Sequence, residues 1–143
     1  MLQINNDLKP TRTATGIVLI HNNEVLVVTS LKGHGYVLPK GGLEEGLSLT
    51  ENAIKELQEE AGYTTSDVIP KPIFDNIIEY PDGRAQREVY FLALNPVEVE
   101  WEEADIRTRH WWTAGDAIGT LSAIQSGIVF DAFDLYYGEE MDQ

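Results

Sequence analysis

Three glutamates, Glu56, Glu59 and Glu60, stand at i, i+3 and i+4 in the stretch GGLEEGLSLTENAIKELQEEAGY at 41–63. On a helix turning about 100° per residue they share roughly 100° of arc. Carboxylates this close repel one another unless a cation lies between them. An all-oxygen donor set of this kind suits a hard divalent cation, Mg²⁺ or Mn²⁺. An acidic helix taken alone is more often a solvated face, tamed here by Glu51–Lys55 and Lys55–Glu59 pairs.

The elements that must position these side chains can be read on either side. Ser48 is an N-cap with Glu51 three residues on, a capping box, and Gly62 suits the helix end. Leu49, Ala53, Leu57 and Ala61, with Ile54 beside them, form one apolar stripe bordered by Glu56 and Glu60. Upstream, residues 13–20 and 24–30 read as strands joined by His21-Asn22-Asn23, and residues 32–35 as a flexible loop. Residues 36–38 form a short strand leading into Pro39-Lys40-Gly41-Gly42. Downstream, residues 73–80 and 86–94 read as a hairpin around the Pro-Asp-Gly-Arg turn at 81–84. Residues 98–105 make an acidic loop, and 110–112 a strand. Thr113 caps a helix over 114–125, with a second over 127–137. Residues 1–10 are expected to be loosely held and 138–143 to fray.

Composition narrows the class. A chain of 143 residues, 43% hydrophobic, suits one domain with an ordered core over 12–137. The absence of cysteine excludes a disulfide framework and a cysteine zinc site, and suits a reducing cytoplasm. No apolar run is long enough for a membrane span or a signal peptide. The formal charge of −14 excludes a broad basic nucleic-acid surface. An anionic partner, a small phosphorylated substrate, must therefore be drawn in by a metal and a few local cations.

The stretch at 41–63 resembles the Nudix box: Gly41, then Lys55-Glu56 for its Arg-Glu pair, Leu57, Glu59-Glu60, Gly62 and Tyr63. Two positions depart from the pattern, Leu47 where the box has its first Glu and Lys55 where it has Arg. The order of strands and helices over 12–137 also resembles the family. The resemblance implies an α/β fold, an α/β/α sandwich with a central mixed sheet, in a monomer or homodimer. It implies metal-dependent cleavage of a phosphoanhydride by water, with Gly41 (through its carbonyl), Glu56, Glu59 and Glu60 as metal ligands.

Catalytic work would fall to Glu56 and Glu59, with Glu102, Glu103 or Asp105 of the later loop as alternative bases. Glu88 is a further candidate ligand, more readily a solvated strand residue. Arg12, Lys32, Lys40, Arg84 and Arg87 are the cations expected to hold substrate. His34 could touch phosphate, His110 reads as structural, and the three Trp as packing residues. Arg12-Thr13, residues 28–32, Trp101-Glu102-Glu103 and Arg109 to Trp112 with Asp116-Ala117-Ile118 are similar to diphosphoinositol polyphosphate and diadenosine polyphosphate hydrolases. Nucleoside triphosphate or ADP-ribose pyrophosphohydrolases are the alternative, as is a non-catalytic nucleotide sensor. In the family the box Arg bridges to the first Glu and braces the loop. Here Lys55 is expected to pair with Glu51 or Glu59, and Leu47 to hold the loop by packing.

Overall fold

Residues 17–20 and 89–93 are apolar without alternation, which a strand tolerates only when both of its faces are covered. The computed structural model, which describes residues 2–33 and 35–141 with side chains up to 138, covers both. In chain order its elements are β1 (Gln3–Ile4), β2 (Arg12–His21), β3 (Glu24–Thr29), β4 (Tyr36–Val37), β5 (Lys40–Gly42), α1 (Leu49–Ala61), β6 (Tyr63–Thr64), β7 (Asp67–Val68), β8 (Phe74–Glu79), β9 (Ala85–Leu94), β10 (Val97–Glu98), β11 (Arg109–Thr113), α2 (Ala114–Thr120) and α3 (Ala123–Met141).

Among the described residues the main sheet runs β1-β8-β9-β2-β3-β11, with β4 on β3, β5 on β2 and β7 on β9. The central β2–β9 pair is parallel, Arg12 facing Gln86 through Leu19 facing Ala93. The other pairings are antiparallel, so the sheet is mixed. Side chains of period two divide between its faces. Ile17, Leu19, Val89, Phe91 and Ala93 pack with Ala53, Leu57 and Ala61 of α1. Val18, Ile20 and Leu92 pack with Ala117, Ile128, Val129, Ala132 and Phe133 of α2 and α3. The result is the expected α/β/α sandwich. Among the described residues no helix is long and apolar enough to cross a membrane.

Three local expectations are corrected. Residues 3–4 are not loose: Gln3 and Ile4 pair with Glu79 and Ile78, and the Asn6 side chain accepts from the Ile77 N–H at 2.7 Å. Residues 40–42 form a strand, because Thr15 and its neighbours in β2 offer a free edge to Gly41. The helix after Thr113 stops at Thr120, and buried Leu121 donates its N–H back to the Ala117 carbonyl at 2.9 Å. Ser122 then accepts from the Gln125 N–H, so α3 starts at Ala123 rather than near Gly127.

Candidate active site

The carboxylates owe their places to the two ends of α1. At its start Ser48 Oγ accepts from the Glu51 N–H (3.1 Å), while Glu51 Oε1 accepts from the Ser48 N–H (2.9 Å), the expected capping box. At its end Gly62 turns left-handed at φ 71°. A Cβ there would lie 2.6 Å from Cβ of Trp101, so glycine serves close packing as well as the turn. The free carbonyls of the last turn are taken up by the segment after β10. Glu59 O accepts from the Glu103 N–H (3.1 Å), Glu60 O from Trp101 Nε1 (2.8 Å) and Ala61 O from Arg109 Nη1 (2.6 Å). The Arg109 guanidinium lies 4.5 Å from both the Tyr63 and Trp101 ring centres.

This docking carries the acidic loop to the box helix. One oxygen each of Glu59, Glu102 and Glu103 lie within 4.8 Å of one another. A cleft of about 460 Å³ lined by Gln58, Glu59, Glu100, Trp101 and Glu102 opens beside them. Asp105 is exposed and joins no such group among the described residues. Toward the sheet, Glu60 is 6% exposed and accepts from the Lys40 N–H at 3.2 Å. Its second oxygen lies 3.4 Å from Nη2 of Arg107. Glu56 faces Gly41, where a Cβ would sit 2.1 Å from its carboxyl carbon. A side chain at position 41 would displace the Glu56 carboxylate.

Burial pushes the Glu60 carboxyl up to about 8, against the pull of Arg107 and with Glu56 and Glu103 adding to the rise. Burial, then the charge of Glu59, raises Glu56 as well. Crowded oxygen donors that hold protons this tightly are short of positive charge. A divalent cation answers that shortage, so the residues present fit one.

The loop brace meets expectation only in part. Lys55 pairs with Glu59, as expected, and also with Glu44 at 3.1 Å, while the Glu51 carboxylate is held in the capping box. Leu47 is half-buried and belongs to neither core cluster. The brace is polar instead. Asn52 is 0% exposed. Its Nδ2 donates to Thr15 Oγ1 (2.9 Å), Gly42 O (3.1 Å) and, more weakly, Gly41 O (3.4 Å), while its Oδ1 accepts from the Glu44 N–H (3.0 Å). One amide thus fixes the backbone from Gly41 to Glu44 against α1 and β2.

The cations are spread unevenly. Arg12 lies against Gly42, where a Cβ would be 2.4 Å from Nη2. Lys40 reaches the cluster through its backbone N–H, and Lys32 is exposed in the turn after β3. Arg84 is paired with Asp82 at 2.6 Å and stacks over Tyr80. Arg87 makes a two-pronged bond to Asp75 (2.9 and 2.7 Å). No described contact joins either one to the carboxylate cluster.

Glu88 is not a solvated strand residue. It is 5% exposed and accepts from Tyr80 Oη (2.5 Å), Gln86 Nε2 (2.9 Å) and Tyr90 Oη (3.3 Å), a network continued to Gln125. His34 lies outside the described residues. His110 packs edge-on to Tyr36, and Trp111 and Trp112 pack at the sheet edge, as packing residues should. Sequence reasoning missed Asn52 and Arg107: the Asn52 partners lie 8, 10, 11 and 37 residues away, at no helical spacing, and only the four-residue spacing of Glu103 and Arg107 hinted at a pair.

Comparison with known proteins gives a consistent result. The profile of the NUDIX domain matches residues 10–131. The chain is 31% identical over 101 residues to "Nudix hydrolase 16, mitochondrial" of Arabidopsis thaliana, covering 66% of this chain and 56% of that protein. It is 35% identical over 95 residues to "Nudix hydrolase 18, mitochondrial" of the same plant, covering 66% and 53%. The chain therefore spans about half the length of these curated relatives. Among solved structures, an ADP compounds hydrolase superposes with a TM-score of 0.73 at 20% identity, over 92% of this chain and 76% of that one. A C. elegans Ap4A hydrolase binary complex superposes with a TM-score of 0.70 at 22% identity, over 90% and 99%. At these identities the likeness is one of fold.

Proposed function

The chain belongs to the NUDIX domain family, and on that premise we propose that it hydrolyses a phosphoanhydride bond with the help of a divalent cation, Mg²⁺ or Mn²⁺. The observation that carries this reading is the meeting of Glu59 of α1 with Glu102 and Glu103 within 4.8 Å, beside Glu56 and Glu60, which the negative charge of Glu103 also reaches. The Gly41 carbonyl, Glu56, Glu59 and Glu60 would hold the cation, joined by Glu102 and Glu103. Bound there, it would neutralise phosphate charge and acidify water.

The chain's own groups supply the rest. Glu56 is half-buried and, among the described residues, joins no ion pair, whereas Glu59 is paired with Lys55 and Glu103 with Arg107. We therefore assign Glu56 as the acceptor of the water proton, with Glu59 as the second catalytic carboxylate. Arg12, Lys32 and Lys40 are the cations we assign to the substrate's phosphates. Arg84 and Arg87 would contribute only by giving up Asp82 and Asp75.

The substrate class we favour is either a nucleoside diphosphate joined to a second group, as in a dinucleoside polyphosphate, or a diphosphoinositol polyphosphate. The motifs at 12–13, 28–32 and 101–118 support it, and solved proteins of like fold are described as ADP compounds and Ap4A hydrolases. The alternative is a non-catalytic nucleotide sensor. The polar brace of Asn52, with Glu44 meeting Lys55, argues against it.

The test is a panel of dinucleoside polyphosphates, diphosphoinositol polyphosphates, ADP-ribose and nucleoside triphosphates with Mg²⁺ or Mn²⁺. Turnover of at least one is expected, reduced about 10²–10⁴-fold in Glu56→Gln. No turnover of any, or full turnover in the variant, would sink the reading.

A further inference from the structure

We propose that Arg107 is a positioning residue that locks the acidic loop onto α1 and so sets Glu60 and Glu103 in the cation-binding cluster. The proposal rests on the divalent-cation reading of that cluster. Arg107 lies 47 residues beyond Glu60, outside the box. Yet its side chain is only 9% exposed and reaches three separate parts of the fold. Nε donates to Glu103 Oε1 at 2.7 Å, Nη1 donates to the Thr29 carbonyl at 2.7 Å, and Nη2 lies 3.4 Å from Glu60 Oε2. The end of β3, the box helix and the acidic loop are thereby joined through one planar group.

The local backbone favours this arrangement. The Ile106 and Arg107 N–H groups both donate to the Glu103 carbonyl at 3.0 Å. That turn folds Arg107 back over Glu103, and the Thr108 N–H then bonds to Thr29 Oγ1 at 2.9 Å. A buried guanidinium carries a large desolvation penalty unless it is paired in good geometry, and the two carboxylates supply the pairing. Among the described residues, Lys55 is the other cation paired with these glutamates. It is 35% exposed, a rotatable point charge that touches Glu59 and Glu44 on the outer side. Arg107 is the fixed fork on the inner side. It partly neutralises two of the crowded carboxylates and fixes how they are oriented. Lysine cannot do this, because a single ammonium does not span acceptors on three elements.

The test is Mn²⁺ binding, read by the electron paramagnetic resonance of free Mn²⁺, in the wild type, Arg107→Lys and Arg107→Met. The rise in Tm on adding Mn²⁺ is recorded in parallel. Binding by the wild type is the control for the divalent-cation reading, and its absence would defeat that reading and this inference together. Given wild-type binding, Arg107→Met is expected to weaken Mn²⁺ affinity by about 10–100-fold, the usual effect of losing a group that orients metal ligands. Arg107→Lys should recover only part of it. A purely structural role would lower the Tm of the metal-free protein but leave the Mn²⁺-induced rise intact. Wild-type Mn²⁺ affinity in Arg107→Met overturns the proposal. Should that variant not fold, wild-type affinity in Arg107→Lys does so.

Discussion

Asn52 carries the largest share of site geometry for one uncharged residue. It sits on the face of α1 turned to the loop, where its amide replaces the missing bridge between the box's first Glu and its Arg. Asn52→Ala strands the Gly42 carbonyl and the Glu44 N–H around a small void. A loss of about 1–3 kcal/mol in urea unfolding is expected, the cost of unsatisfied part-buried groups. A fall in kcat exceeding any rise in KM should accompany it, because the Gly41 carbonyl loses its anchor. Gly41→Ala should act on turnover alone: its Cβ displaces the Glu56 carboxylate, so turnover should collapse while far-UV circular dichroism stays that of the wild type. The glutamates were legible in the sequence because their geometry is written within five residues of one helix. Asn52 was not, since its partner Thr15 is 37 positions away and an asparagine at an unspecified box position carries no spacing signal.

For the elements, the informative junction is between the C-terminus of α1 and the acidic loop. Trp101 holds it with an N–H bond to the Glu60 carbonyl and with its ring against Arg109. Trp101→Ala should cost about 2 kcal/mol by thermal unfolding, combining the lost hydrogen bond with the lost ring contact. Amide hydrogen exchange should rise over 99–107 and stay slow in β2 and β9. Protection of 99–107 equal to the wild type would mean that the loop is held elsewhere. The main strands and α1 were legible because their periods, 2 and 3.6, are long enough to count. The strands β1, β5 and β10 are two or three residues long. They exist because a sheet edge or a neighbouring strand offers hydrogen bonds, which no local pattern announces. Likewise Thr120-Leu121-Ser122 contains neither Gly nor Pro, so the break between α2 and α3 comes from the burial of Leu121 and the cap of Ser122.

The whole molecule joins an excess of acid to a buried acid at its centre. Parallel pairing of β2 with β9 brings together segments about 74 residues apart, and this reached the sequence reading only through the family resemblance. The electrostatic consequence follows from the assembled fold. Glu60 meets Glu56 on its own helix, Glu103 and Arg107 from the acidic loop, and the Lys40 N–H from β5. Its folded-state pKa of about 8 stands above the ordinary 4.5. Between those values the folded chain binds its proton more tightly than the unfolded chain, so metal-free stability must fall as pH rises. Glu56, also raised, adds in the same direction. Asp75, Asp82, Glu51 and Glu79 are held low by their partners and act with the opposite sign, but below about pH 4.5, outside this window. Thermal unfolding in a chelator should therefore give a Tm that declines from about pH 5 to about pH 8. Added Mn²⁺ should raise Tm most at the upper end, where it no longer competes with bound protons. A chelated Tm that is flat or rising over this range would mean that Glu60 is already ionised in the metal-free fold, its charge carried by Arg107 and the Lys40 N–H.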